Sequence, residues 1–237
     1  MHRLLLSMRE AKWKVKMSTI NMIRVMLRNK FINEDFVVDK SGAKTIEIIN
    51  ASFIADEPKI FGEVNEDYTL RELRWYKSQS LNVNDIEAPV PQIWKDVADA
   101  DGNINSNYGW CVYSKENGSQ FEKVLNELYN FPLSRRAVMI YNRPSMHDDY
   151  NKNGMSDFMC TNAVQYLVRD NKLHALVYMR SNDAVYGYKN DYYWQSFVQM
   201  QLLYELNNKG WMGCGLGNIY WNVGSLHMYE RHFKFLE

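Results

Sequence analysis

Cys160 has the side chain in this sequence best suited to covalent chemistry. It lies in the run Asp157-Phe158-Met159-Cys160-Thr161-Asn162, and twenty residues later the chain reads Arg180-Ser181-Asn182-Asp183. Between them, two apolar runs flank Arg169-Asp170-Asn171-Lys172, which has the composition of a tight hairpin turn. With Asp170 and Asn171 as the turn residues, Cys160 falls opposite Ser181 and diagonal to Arg180. Strict alternation would aim Cys160 and Arg180 at opposite faces of the sheet. A bulge or a strand end is needed to bring them together. If they meet, the guanidinium favours thiolate and lowers the thiol from the free-cysteine value of about 8.5. By residue type alone, a buried core cysteine is the commoner outcome.

The elements that must hold this pair follow from periodicity. Met22, Ile23, Met26 and Leu27 recur at helical spacing. After Val37-Val38, Asp39-Lys40-Ser41-Gly42-Ala43-Lys44 is a turn or phosphate-approaching loop, leading into a strand over Thr45-Ile46-Glu47-Ile48-Ile49. Leu70, Leu73 and Tyr76 mark a helix around residues 67–79, and Phe121, Val124, Leu125 and Leu128 mark another. Ala137 to Tyr141 is an apolar strand run that Arg143-Pro144 ends, and Tyr150 through Gly154 is a polar loop. Tyr193, Phe197, Met200 and Tyr204 recur along one face of a long helix, and Ile219 to Tyr229 closes the chain as a strand. The pattern predicts an α+β fold, with helices packed on a mixed or mostly antiparallel sheet.

The bulk composition excludes several classes of function. A chain of 237 residues can form one large core, and no repeat, low-complexity tract or Gly/Ser linker divides it, so residues 1–237 read as a single domain. Residues 1–16 are basic and read as a poorly ordered extension, with Met17 as an alternative start. Leu4-Leu5-Leu6 is too short for a signal-peptide core. The formal net charge of +0 argues against direct DNA binding, which needs a positive excess to neutralise phosphates. Cys111, Cys160 and Cys214 form no CxxC pair and no zinc spacing, which points to a reducing compartment and no metal. No apolar run approaches the length needed to span a membrane.

The order of short motifs carries more than any one of them. Ser134-Arg135-Arg136, Asp157-Phe158-Met159-Cys160, Arg180-Ser181-Asn182-Asp183 with Gly187, Asn190-Asp191, and Gly224-Ser225-Leu226-His227-Met228-Tyr229 follow one another. Upstream come Asp39-Lys40-Ser41-Gly42, Arg71-Glu72-Leu73-Arg74-Trp75-Tyr76, Ile93-Trp94 and Asn107-Tyr108-Gly109. From about Asp35 to Phe233 this succession resembles the thymidylate synthase superfamily, most closely its bacteriophage branch that hydroxymethylates deoxycytidylate.

The resemblance implies a thymidylate synthase-like mixed sheet with packed helices, a sheet-mediated homodimer with shared active sites, and a pyrimidine nucleoside monophosphate as substrate. The one-carbon donor it implies is 5,10-methylenetetrahydrofolate. It implies Cys160 as the nucleophile toward C6 of the pyrimidine, and Arg180 as a contact to both thiol and phosphate. Arg135 and Arg136 would reach phosphate in the neighbouring subunit, where guanidinium forks suit phosphate oxygens. Glu72 corresponds to a glutamate that organises water and shuttles protons, and Tyr108 to a tyrosine that assists proton removal from C5. His227 and Tyr229, alternating on a strand, would bind the sugar hydroxyl. Ser181 and Lys40 belong to the nucleotide-binding set, and Trp94 and Asp183 to the folate side. The same resemblance implies the cytoplasm of an infected host cell and association with phage nucleotide-synthesis enzymes. Taken singly, each residue has a plainer reading: a solvated Arg-Arg strand end, an exposed helix glutamate, packed aromatics.

Asp191 bears on the base. Thymidylate synthases carry asparagine here, which matches uracil. Cytosine inverts that edge, and a carboxyl group can accept from its N4 amino group and, when protonated, donate to N3. The plainer reading of Asp191 is an N-cap for a helix over Tyr192–Leu206. The implied product is 5-hydroxymethyl-dCMP. The alternatives are a thymidylate synthase or hydroxymethylase acting on dUMP or CMP, and a non-catalytic nucleotide-binding partner protein. Four departures stand out: Lys40 in place of a phosphate-binding arginine, Val97 in place of a second folate-side tryptophan, Thr161 and Met179 beside the thiol and guanidinium, and an end at Glu237 soon after His227, where a closing segment is expected to be short.

Overall fold

A computed structural model describes residues 17–211 and 213–237, so the expected extension over 1–16 lies outside the described residues. Among the described residues seven strands form one sheet: β1 (Ser18–Thr19), β2 (Val37–Val38), β3 (Lys44–Ile54), β4 (Val138–Ile140), β5 (Thr161–Arg169), β6 (Lys172–Asp183) and β7 (Gly215–Tyr229). Their spatial order is β1-β3-β7-β6-β5-β4, with β2 paired to β3. β1 with β3 and β6 with β7 run parallel, and the other pairs are antiparallel, so the sheet is mixed as expected. The helices are α1 (Ile20–Ile32), α2 (Glu66–Ser78), α3 (Gln92–Val97), α4 (Tyr108–Tyr113), α5 (Gln120–Asn130), α6 (Met146–Asp149) and α7 (Gly187–Asn208).

Parallel β6 and β7 cannot be joined by a tight turn, and α7 is the crossover between them. It buries Trp194, Val198, Leu202 and Leu206 at four-residue spacing. The expected stripe was different: Met200 and Tyr204 are exposed. This helix carries apolar residues on adjacent faces, and periodicity cannot choose between two such stripes. In α1 two of the four expected residues, Ile23 and Leu27, are buried together with Ile20, while Met22 and Met26 face out. In α5 the four expected residues, Phe121, Val124, Leu125 and Leu128, are all buried.

Helix α2 inverts the usual arrangement. Leu70 is exposed, while Arg71, Glu72, Trp75 and Tyr76 are buried. Its inner face is therefore polar, and polar groups are brought inside only where partners await them. Helix α4 packs on it backbone to backbone. A Cβ on Gly109 would lie 1.7 Å from the Tyr76 carbonyl oxygen, so only glycine permits this approach. Tyr108 consequently stacks on Tyr76 with ring centroids 5.4 Å apart.

The β5–β6 hairpin turns at Asp170 and Asn171, both left-handed (φ 50° and 55°), as short Asx side chains tolerate. Pairing runs as expected from Arg169–Lys172 to Ala163–Tyr178. The register then shifts between Ala163 and Thr161, so that Thr161 pairs with Met179. The Arg180 amide donates to the Cys160 carbonyl at 2.9 Å.

Candidate active site

The register shift is the bulge that the thiol–guanidinium pairing requires. With one extra residue on β5, Cys160 and Arg180 become neighbours, and Arg180 Nη2 lies 3.6 Å from Cys160 Sγ. The guanidinium is also fixed by two carbonyls, donating through Nε to Met159 at 2.9 Å and through Nη2 to Phe158 at 2.7 Å. It lies over the Phe158 ring, 4.9 Å from its centroid. The loop before the thiol is anchored by Asp157, which is buried. Its carboxylate accepts from the amides of Asn105 (2.7 Å) and Ser106 (2.8 Å) and from the Ser106 hydroxyl (2.6 Å). This ties the Cys160 loop to the segment that leads into Tyr108.

One expectation is corrected here. The thiol is not lowered: burial pushes Cys160 up to about 11, Arg180 pulls the other way without overcoming it, and Asp191 and Asp157 add to the rise. Proximity to a cation was legible in the sequence, but desolvation by the surrounding fold was not. At neutral pH the free chain holds a thiol.

Besides Asp157, one carboxyl group, Asp191, acts directly on this thiol, and another, Glu72, acts on Asp191. Glu72 on α2 is raised to about 7 by burial, against a hydrogen bond from the Tyr68 hydroxyl that favours its charged form. Tyr68 in turn accepts from Trp94 Nε1 at 2.9 Å, so Trp94, Tyr68 and Glu72 form a chain. Asp191 is raised to about 8, first by burial and then by the charge of Glu72, while hydrogen bonds from Asn182 and Tyr108 oppose the shift. Asn182 Nδ2 donates to Asp191 Oδ2 at 2.7 Å and Asn182 Oδ1 accepts from Trp221 Nε1 at 3.2 Å. Burial holds the Tyr108 hydroxyl well above its usual range, so it remains neutral. Asp191 is not an N-cap. Helix α7 begins at Gly187, and its first amides are met instead by Asp183, which accepts from Val185, Tyr186 and Gly187 at 3.2, 2.8 and 3.4 Å.

The strand ends bring further expected residues to the same place. Asp183 on β6 pairs with His227 on β7, and His227 also pairs with Glu47 on β3. The His227 and Tyr229 rings meet edge to face, 5.1 Å apart, on one side of β7. Burial, then the charges of Asp39 and Asp183, raise Tyr229, and a weaker contribution comes from Cys160. The turn carrying Lys40 is built by Asp39, whose carboxylate accepts from the Ser41 and Ala43 amides at 2.8 and 3.0 Å. Lys40 itself is exposed, and Ser181, partly buried, pairs with Ser225. Arg135 and Arg136 are exposed and stand apart from this group. Arg136 Nε donates to Glu127 at 3.0 Å, and the Arg135 carbonyl accepts from Gln165 at 2.8 Å.

Four contributors had no role assigned from sequence: Tyr68, Asn182, Trp221 and the Asp157 anchor. Asn182 and Asp157 lie inside quoted motifs, and their spacing from Arg180 and Cys160 was the available signal. Two surface clefts, lined by residues such as Lys123 and Arg143 or Arg74 and Glu87, contain none of these side chains. Among the described residues no cluster of His, Cys, Asp and Glu could hold a metal, and no helix is long and apolar enough to cross a membrane.

Residues 60–237 match the thymidylate synthase family. The deoxycytidylate 5-hydroxymethyltransferases of Enterobacteria phages T4 and T2 are each 56% identical over 220 residues, covering 92% of this chain and 89% of theirs. Thymidylate synthase 1 of Bacillus subtilis (strain 168) is 26% identical over 234 residues, covering 92% of this chain and 80% of its own. The thermostable thymidylate synthase A structure from Bacillus subtilis superposes with a TM-score of 0.67 at 23% identity, covering 92% of this chain and 83% of that one, and bears on the fold alone.

Proposed function

This chain belongs to the thymidylate synthase family, and we propose that it is a deoxycytidylate 5-hydroxymethyltransferase. It transfers a one-carbon unit to C5 of dCMP and adds water, giving 5-hydroxymethyl-dCMP. The observation that carries this reading is the partly buried Asp191 carboxyl, held by Asn182 and raised to about 8 by loss of water and the charge of Glu72, beside the thiol. At pH 7 it is mostly neutral, and so offers one hydroxyl donor and one carbonyl acceptor. Cytosine presents the complementary N3 acceptor and N4 amino donor, whereas uracil presents a donor at N3. Buried polar sites can reject a mismatched edge by about 10⁴ because groups are left unpaired.

Cys160 attacks C6 of the pyrimidine, forming an S–C bond and moving the ring electrons toward C5 and the N3 side. Arg180 Nη2, at 3.6 Å, favours the thiolate as it forms. Proton donation from Asp191 to N3 relieves the charge that builds on the ring. C5 then takes up the one-carbon unit, Tyr108 assists loss of the C5 proton, and after water has added the C6–S bond breaks, restoring the ring double bond and returning Cys160 as thiolate. Glu72, raised to about 7, can hold or release a proton near pH 7 and suits the role of organising the water that adds to the exocyclic carbon. Beyond the thiol contact, Arg180, Ser181 and Lys40 bind phosphate, and His227 and Tyr229 bind the sugar hydroxyl.

Folate fits the residues present: Trp94 is partly buried with its N–H engaged by Tyr68, leaving a ring face for stacking beside exposed Ile93. Asp183 keeps acceptor capacity beyond its helix amides, which a pterin N–H can use. When bound, 5,10-methylenetetrahydrofolate supplies the one-carbon unit. The sheet supports a homodimer with shared sites, since β6 alternates buried with more exposed residues and leaves Tyr178 and Arg180 outside. In such a dimer exposed Arg135 and Arg136 serve the partner's phosphate.

Product analysis decides the matter. Purified protein with methylenetetrahydrofolate and dCMP, dUMP or CMP is expected to give 5-hydroxymethyl-dCMP and tetrahydrofolate. Dihydrofolate with a methylated nucleotide would show a synthase instead, and no turnover of any nucleotide would leave a binding partner.

A further inference from the structure

We infer that Asn182, held by Trp221, is a specificity-determining residue that fixes which oxygen of Asp191 carries the proton. The inference deepens the reading of Asp191 as the base contact and rests on it. Asn182 is buried on β6, and Trp221 on β7 is fully buried. The Trp221 indole can only donate, so the Asn182 amide oxygen must face it at 3.2 Å. The amide nitrogen is thereby turned the other way, 2.7 Å from Asp191 Oδ2. An amide NH₂ can only donate, so Oδ2 must accept, and the proton of the neutral carboxyl belongs on Oδ1. Oδ1 becomes the donor of the pair, and Oδ2 keeps a second lone pair as acceptor. That is an ordered two-atom edge rather than a carboxyl free to exchange its ends.

The other groups around Asp191 cannot impose this order. Glu72 from α2, Tyr76 beside it, Asp183 from β6 and Cys160 ahead of β5 act on it through charge. The Tyr108 hydroxyl favours the charged form of Asp191, but a hydroxyl both donates and accepts and so follows whichever oxygen holds the proton. Only the indole–amide pair has a fixed direction. The packing leaves it little freedom: a Cβ on Gly187 would come 3.0 Å from Asn182 Nδ2 and 3.9 Å from Asp191 Oδ2.

The test is equilibrium binding of dCMP and dUMP to the full chain, without folate, across pH 6 to 9. Wild type is expected to prefer dCMP; absence of that preference would remove the Asp191 reading itself and this inference with it. With that preference present, Asn182→Ala is expected to narrow it by about tenfold or more, the scale of one buried unpaired polar group. Its upper pH limit for dCMP should also move higher, because the donor that favours the charged carboxylate is gone. A general packing defect would weaken both nucleotides together and leave that limit in place. Trp221→Phe keeps the amide but frees it to turn, and should narrow the preference less. Folded Asn182→Ala with the wild-type ratio and pH limit overturns the inference. If Asn182→Ala does not fold, an unchanged ratio in Trp221→Phe overturns it.

Discussion

At its turn end the β5–β6 hairpin keeps strict alternation from Arg169–Lys172 to Ala163–Tyr178, whereas at its far end one extra residue shifts the register and seats Cys160 beside Arg180. The regular end follows from local chemistry: two Asx residues at positive φ, and side chains that alternate between faces. The irregular end departs from alternation, and the departure is what aims a thiol and a guanidinium at the same space. Regular pairing supplies the ruler, and a single counted error supplies the site.

Substitutions at the two ends separate what each contributes. Cys160→Ser at the irregular end is expected to abolish product formation by roughly 10⁴-fold or more while circular dichroism stays unchanged, since a nucleophile has no substitute. Residual turnover near wild type would remove Cys160 from the chemistry. Asp191→Asn should reverse the preference from dCMP toward dUMP by about 10² or more, read as the ratio of kcat/KM values; strict retention of dCMP would sink the base contact. Arg180→Gln removes the one group that holds the Cys160 thiol down, so its titration should move above about 11. Alkylation by iodoacetamide at pH 8 should slow, and an unchanged rate would show the pairing to be inert. At the regular end, Asn171→Val forces a β-branched residue to positive φ and should cost about 1–2 kcal/mol by urea unfolding, with kcat preserved. A large loss of kcat there would erase the distinction between the two ends.

Acidity separates the buried site from the rest of the chain in one more way. Asp191 and Glu72 have folded values of about 8 and 7, above their ordinary 3.8 and 4.5. Between those limits the folded chain binds more protons than the unfolded one, so these groups make stability fall as pH rises from about 4 to 8. Asp191→Asn should flatten that slope in thermal scans, and an unaltered slope would mean the carboxyl is ionised in the fold at neutral pH.

Much of this was legible in the sequence where a local rule applies. Asp170-Asn171 fixed the hairpin register, and the register in turn demanded a bulge before Cys160. Helix faces were less legible, because α1 and α7 carry apolar residues on two adjacent stripes and only the sheet decides which is covered. Polar Glu72 gave no periodic sign of burial, since the partners that admit it, Tyr68 and Trp94, are tertiary. The raised Cys160 thiol was illegible for the same reason: charge neighbours can be counted along a chain, but lost water cannot. The plainer reading of Asp191 as a helix cap fails because the cap is supplied from β6 by Asp183.

The parallel pairing of β6 with β7 has a kinetic meaning. Its two strands are separated in the chain by the whole of α7, so their association closes a long loop and belongs to the slow, non-local steps of folding. Asp191 rides on that closing segment, and Asn182 and Trp221 come from the two strands it joins. On the proposed roles of these residues, discrimination of cytosine from uracil arises in the same event that completes the topology, and a chain arrested before it would hold Cys160 without that discrimination.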